Sequence, residues 1–84
     1  MSYKINVGLI GIGTVGGGTY KVLKENFFEI FRKTGKEIKI TAVADKDTQR
    51  AKEIVGESVV IFEDAFELVK DKSINIIVEL IGGT

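Results

Sequence analysis

The stretch Val7-Gly8-Leu9-Ile10-Gly11-Ile12-Gly13-Thr14-Val15-Gly16 decides how this chain is read. An apolar, branched run over residues 5–10 gives way to three spaced glycines, after which apolar residues recur at helical spacing. The pattern is a buried strand turning sharply into a helix, and such a turn suits a pyrophosphate. Gly11 permits the tight turn. Gly13 has no Cβ, so the backbone can approach phosphates closely, and Gly16 lets the helix pack tightly on the strand. Unpaired N–H groups at the helix start, with the positive end of its dipole, then face the anion. The plain alternative is a strand–helix turn with no ligand. Gly17 and Gly18 weigh against it, because each costs a helix about 1 kcal/mol relative to alanine. Thr14 either donates its hydroxyl to a phosphate, caps the helix, or does both.

Outward from the turn, the chain alternates regularly. A helix is expected over residues 15–33, with Val15, Thr19, Val22, Leu23, Phe27 and Ile30 as its apolar positions and Gly35 as its stop. Residues 38–44 form a second strand. Asp47 caps a second helix that turns Ala51, Ile54 and Val55 inward and ends at Gly56. Residues 59–62 form a short third strand. Asp64 and Glu67 have capping-box spacing for a third helix with Ala65, Leu68 and Val69 inward. Residues 74–81 form a fourth strand, apolar except for Asn75 and Glu79, and Glu79 is read as structural. Phe27, Phe28 and Phe31 are expected in the core and at interfaces. Nearly continuous apolar strands imply burial on both faces, hence a parallel sheet between helices. Right-handed crossovers place the strands in the order three-two-one-four, the first half of a doubly wound α/β sheet.

Composition narrows the function. At 84 residues the chain makes at most one small domain, and a chain of that size buries only about 60% of its unfolded surface. Twelve basic and twelve acidic residues cancel, which points to neither nucleic acid nor a membrane surface as partner. There is no cysteine and no histidine. Disulfides and Cys or His zinc sites are therefore excluded, and no metal is expected. That suits the cytoplasm. No apolar run approaches the ~18 residues of a membrane span, and no signal-peptide pattern opens the chain.

Asp45 ends the second strand, where a carboxylate can accept hydrogen bonds from adenosine ribose hydroxyls. It lies farther past Gly16 than the usual spacing of about 20 residues, an excess that the long first helix and the turn at Gly35 absorb. Its other reading is an acidic turn residue. Lys46 either pairs with a 2′-phosphate, favouring NADP, or is a solvated loop lysine. Gly82-Gly83-Thr84 opens the loop after the fourth strand, at the switch point where a dinucleotide crosses the sheet. The edge of the fourth strand is expected to be open, as in the N-terminal part of a larger protein.

The segment Gly8-Leu9-Ile10-Gly11-Ile12-Gly13-Thr14-Val15-Gly16-Gly17-Gly18 resembles the N-terminal signature of the homoserine dehydrogenase family. Val78-Glu79-Leu80-Ile81-Gly82-Gly83-Thr84 resembles it at a similar distance downstream, and Ala42-Val43-Ala44-Asp45 is similar to the end of that family's second strand. The resemblance spans essentially the whole chain but only the first part of the family's length. It implies a Rossmann-like domain binding NADP or NAD, with the family's frequent use of NADP tilting that choice. It also implies reversible reduction of L-aspartate 4-semialdehyde to L-homoserine, in threonine and methionine synthesis, by a cytoplasmic dimer or higher oligomer. By position, Ile12, Gly13, Thr14 and Val15 would lie along the pyrophosphate and adenine side. Asp45 and Lys46 would lie near the adenosine ribose, and Gly83 and Thr84 near the nicotinamide half. The family's catalytic residues lie further along the chain, so none is expected in residues 1–84, nor are the substrate and regulatory domains. The alternatives are another dehydrogenase with the same opening, of the aspartate dehydrogenase or glucose-fructose oxidoreductase type, or a non-catalytic nucleotide sensor.

Overall fold

The computed structural model describes residues 4–80. Seven elements follow one another: β1 (Lys4–Ile10), α1 (Ile12–Thr34), β2 (Glu37–Ala44), α2 (Thr48–Val55), β3 (Val60–Phe62), α3 (Ala65–Val69) and β4 (Ile76–Glu79). The strands pair in parallel in the order β3-β2-β1-β4. This is the expected Rossmann-like half-sheet, and it gathers the C-terminal ends of β1 and β2 on one margin.

The two faces of the sheet are unequal. Val7, Leu9, Ile40 and Val43 pack with Ile12, Tyr20, Ala51, Val55 and Val59 into the larger cluster, under α1 and α2. Ala42, Ala44 and Leu68 form the smaller one, with Ile10, Phe62, Ala65 and Ile74 against it. Ile40 and Val43 share a face although simple alternation would separate them. The cause is a bulge: Val7 pairs with Ile40 and Gly8 with Ala42, so Thr41 is the extra residue. The Thr41 hydroxyl is buried and unpartnered among the described residues.

Local signals set most boundaries. Gly35 stops α1 in the left-handed conformation with its N–H on Phe31 O. The Asp47 carboxylate caps α2 by accepting from Arg50 N–H, and Gly56 ends that helix. Asp64 caps α3, although its carboxylate accepts from Phe66 N–H rather than from Glu67.

Four expectations need correction. Helix α1 begins at Ile12, not Val15, and is broken at Gly16 (φ 82°, ψ −176°). That conformation is open essentially to glycine alone, so Gly16 is needed for the break rather than for close packing of an unbroken helix. Second, Tyr20 is the buried anchor of α1 (7% exposed), whereas Thr19 is exposed and Val22 is 53% exposed. At 3.6 residues per turn Val22 lies about 200° round the helix from Tyr20 and cannot join the stripe through Leu23 and Phe27. Burial pushes the Tyr20 phenol up from its usual pKa range. Phe27 packs on the core, but Phe28 is 59% and Phe31 39% exposed. Third, Val69 points out of α3 and leaves Leu68 as that helix's one fully buried residue. Fourth, β4 is not buried on both faces: the consecutive Ile76 and Ile77, on opposite faces, are 47% and 41% exposed, because β4 is a margin strand that no described helix covers closely on either face. The expected strand end at Ile81 lies outside the described residues.

Candidate functional site: a glycine turn locked to the end of the second strand

The turn after β1 is stitched to its neighbours by backbone bonds. Gly11 N–H donates to Ala44 O (2.9 Å), Asp45 N–H to Phe62 O (3.0 Å) and Leu80 N–H to Ile10 O (2.8 Å). The ends of β1, β2, β3 and β4 are thereby held side by side. Gly11 adopts φ 86°, which a side chain would strain.

Asp45 sits against this turn. Its Oδ2 accepts Gly13 N–H at 2.7 Å and its Oδ1 accepts Asp47 N–H at 2.9 Å. A Cβ on Gly13 would lie 2.9 Å from Asp45 Oδ2, closer than such atoms approach. The missing Cβ therefore makes room for the Asp45 carboxylate. A carboxylate offers about four lone-pair sites, so two remain for hydroxyl donors such as those of a ribose. Two backbone N–H groups fix its orientation before any ligand arrives.

A groove of about 750 Å³ opens beside the turn. Its lining includes Gly11, Thr14, Asp45 and Lys46, with Glu63 to Phe66 forming the far wall. That volume lies within the usual range of small-molecule and cofactor sites. The position at the C-terminal ends of parallel strands is where open α/β sheets take ligands.

The residues singled out in the sequence fall into four groups. Gly11, Gly13, Thr14, Asp45 and Lys46 come together at the groove or its rim. Ile12 and Val15 belong to the turn, but their side chains pack into the larger core cluster, Ile12 with no exposure at all. Only their backbone is left to face a ligand. Gly16 lies at the break in α1, and Gly83 and Thr84 lie outside the described residues. Thr14 does not cap the helix: the cap position is Gly11, which has no side-chain cap bond. The expectation of unpaired amides also changes. Gly11 and Gly13 N–H are committed as above, and Thr14 N–H donates to Gly11 O at 3.1 Å.

Two contributors were not visible in the sequence. Arg50, from the first turn of α2, donates through Nε to Gly13 O at 3.0 Å. Phe66, 74% exposed, stands on the far wall of the groove. Neither belongs to a recognisable spacing, since each reaches the turn only through the fold. Among the described residues no helix is long and apolar enough to cross a membrane.

No protein-family model matches the chain. A homoserine dehydrogenase from Methylobacillus glycogenes is 54% identical over 79 residues, 94% of this chain and 19% of the relative. One from Neisseria gonorrhoeae is 46% identical over 95% of the chain and 18% of the relative. The crystal structure of a homoserine dehydrogenase from Thiobacillus denitrificans superposes with a TM-score of 0.78 at 43% identity, covering 98% of this chain and 19% of that one. The chain spans about a fifth of the length of these relatives. In sequence and in fold, the chain is similar over nearly its whole length to about one fifth of a homoserine dehydrogenase.

Proposed function

We propose that this chain is the cofactor-binding start of an NAD(P)-dependent homoserine dehydrogenase. The observation that carries the reading is the Asp45 carboxylate, held by two backbone N–H groups at the mouth of the glycine turn with acceptor sites to spare. The groove fits an adenosine ribose at Asp45, with phosphates along the turn near the Thr14 hydroxyl. Gly83 and Thr84, which follow β4 and the Leu80 bonded to Ile10, serve the nicotinamide half. A nicotinamide cofactor supplies the hydride, while the protein supplies orientation and electrostatics. Substrate binding and proton transfer fall to residues beyond Thr84, and the whole enzyme acts as a homo-oligomer in the cytoplasm on L-homoserine and L-aspartate 4-semialdehyde.

Cofactor choice rests on opposed charges. Asp45 repels a 2′-phosphate, as do Glu63 and Asp64 across the groove, whereas Lys46 attracts it. Both NAD and NADP are therefore accepted, with discrimination of about 1–2 kcal/mol at most. Lys46→Ala should weaken NADPH binding selectively and leave NADH nearly unchanged in a fluorescence titration. Equal loss for both removes Lys46 from the 2′-phosphate. The activity itself is tested by assaying the full-length protein with homoserine, aspartate and simple sugars in the presence of NAD+ or NADP+. Turnover of aspartate or a sugar, with none of homoserine, would sink the assignment.

A further inference from the structure

Four hydrogen bonds around the turn close into a ring. Gly13 N–H donates to Asp45 Oδ2, Asp47 N–H to Asp45 Oδ1, Arg50 N–H to Asp47 Oδ1 (3.1 Å), and Arg50 Nε–H returns to Gly13 O. Both polar groups of Gly13 are thus held by side chains from the segment that follows β2. Glycine has the greatest backbone freedom of any residue, and the 13–14 peptide is planar. If that peptide turned over, its carbonyl dipole would present negative charge to an anion at the turn. Thr14 N–H, bonded to Gly11 O, holds one side of that peptide, and Arg50 holds its carbonyl on the α2 side.

We propose that Arg50 is a positioning residue for dinucleotide binding, acting through the Nε–H bond to Gly13 O rather than by touching a 2′-phosphate. Its loss then weakens NADH and NADPH alike. This rests on the proposed cofactor site at the glycine turn. The ring is local: it joins exposed or half-exposed groups at one corner and includes no core side chain, so removing the bond leaves the packing of both clusters in place.

Two substitutions separate the bond from the charge. Arg50→Gln places an amide N–H at the same number of bonds from the backbone as Nε, without the guanidinium charge. Arg50→Met has the same reach and no donor. Both are made in the full-length protein. Kd for NADH and for NADPH is measured by fluorescence titration well below the thermal midpoint, and KM and kcat are measured for each cofactor. Arg50→Met should raise Kd and KM for both cofactors about fivefold, the net worth of one ordinary hydrogen bond, with kcat little changed. Arg50→Gln should stay within about twofold of the parent, since the donor is kept. A loss confined to NADPH would make Arg50 a phosphate ligand and overturn the proposal. Equal losses in both variants would assign the effect to charge, and no loss in either would leave the ring without function; each result overturns it. Failure of the parent protein to bind either nucleotide would remove the cofactor reading along with it.

Discussion

The corner around Gly13 and the margin formed by α3 and β4 differ in how much apolar packing backs their hydrogen bonds. At the corner, side chains of Asp45 and Arg50 grip the two peptides that flank one glycine, across separations of 32 and 37 residues, and Ile12 anchors the turn in the larger core cluster. At the margin, Asn6 also bonds Asn75 and Ser73 across separations of 69 and 67 residues, but only one side chain there is fully buried. Leu68 is fully buried, while Phe66, Val69, Ile76 and Ile77 all remain substantially exposed. Leu68 also explains Gly8, since a Cβ there would meet Leu68 Cδ2 at 2.8 Å. The difference teaches where each kind of change is felt. The corner resists movement because several directional bonds must break together. The margin has one fully buried side chain to lose, beside apolar residues that the described elements leave substantially exposed.

The largest effect is therefore expected at the margin. Leu68→Ala should cost about 2–4 kcal/mol of stability, from lost transfer energy and the cavity left between α3 and β1. Chemical denaturation of the full-length protein would measure it. Phe66→Ala, two residues away on the exposed side of α3, should change little. A small loss at Leu68, or an equal loss at both, would break the single-anchor description.

Gly13→Val tests the corner. Its side chain would collide with the Asp45 carboxylate as well as with an approaching phosphate. Cofactor Kd should rise by about tenfold or more, with stability lowered by about 1–2 kcal/mol as Asp45 leaves its two N–H donors. Calorimetric titration paired with a melting curve would show both. Tight binding alongside reduced stability would mean that the turn is only structural.

The smallest effect lies in the loop between α3 and β4. Asp71 accepts from Ser73 N–H (2.9 Å) and Ser73 Oγ–H (2.6 Å). These bonds hold its carboxyl below the usual aspartate range. A depressed folded-state pKa contributes stability above the unfolded-state value, lost as pH falls through the folded-state one. Ser73→Ala should remove part of that contribution, so the gap between variant and parent, small near neutrality, should close in acid. Melting curves from neutral to acid pH would show this convergence. A gap that persisted unchanged into acid would separate the loop's stability from Asp71.

The sequence by itself determined the elements, their order and the location of the turn. Those signals are local: the spacing of Gly11, Gly13 and Gly16, the caps at Asp47 and Asp64, the stops at Gly35 and Gly56, and the branched runs of β1 and β2. Parallel pairing and right-handed crossovers then left one strand order. Asp45 was legible too, because the end of the second strand is a topologically defined place. The tertiary structure alone decided what Asp45 grips, that Arg50 closes the ring on Gly13, and that Gly16 breaks α1. It also decided that Tyr20 rather than Thr19 enters the core and that Val69 does not. These depend on which neighbour meets which face across the sheet. No spacing along the chain encodes a hydrogen bond between groups that only folding brings together.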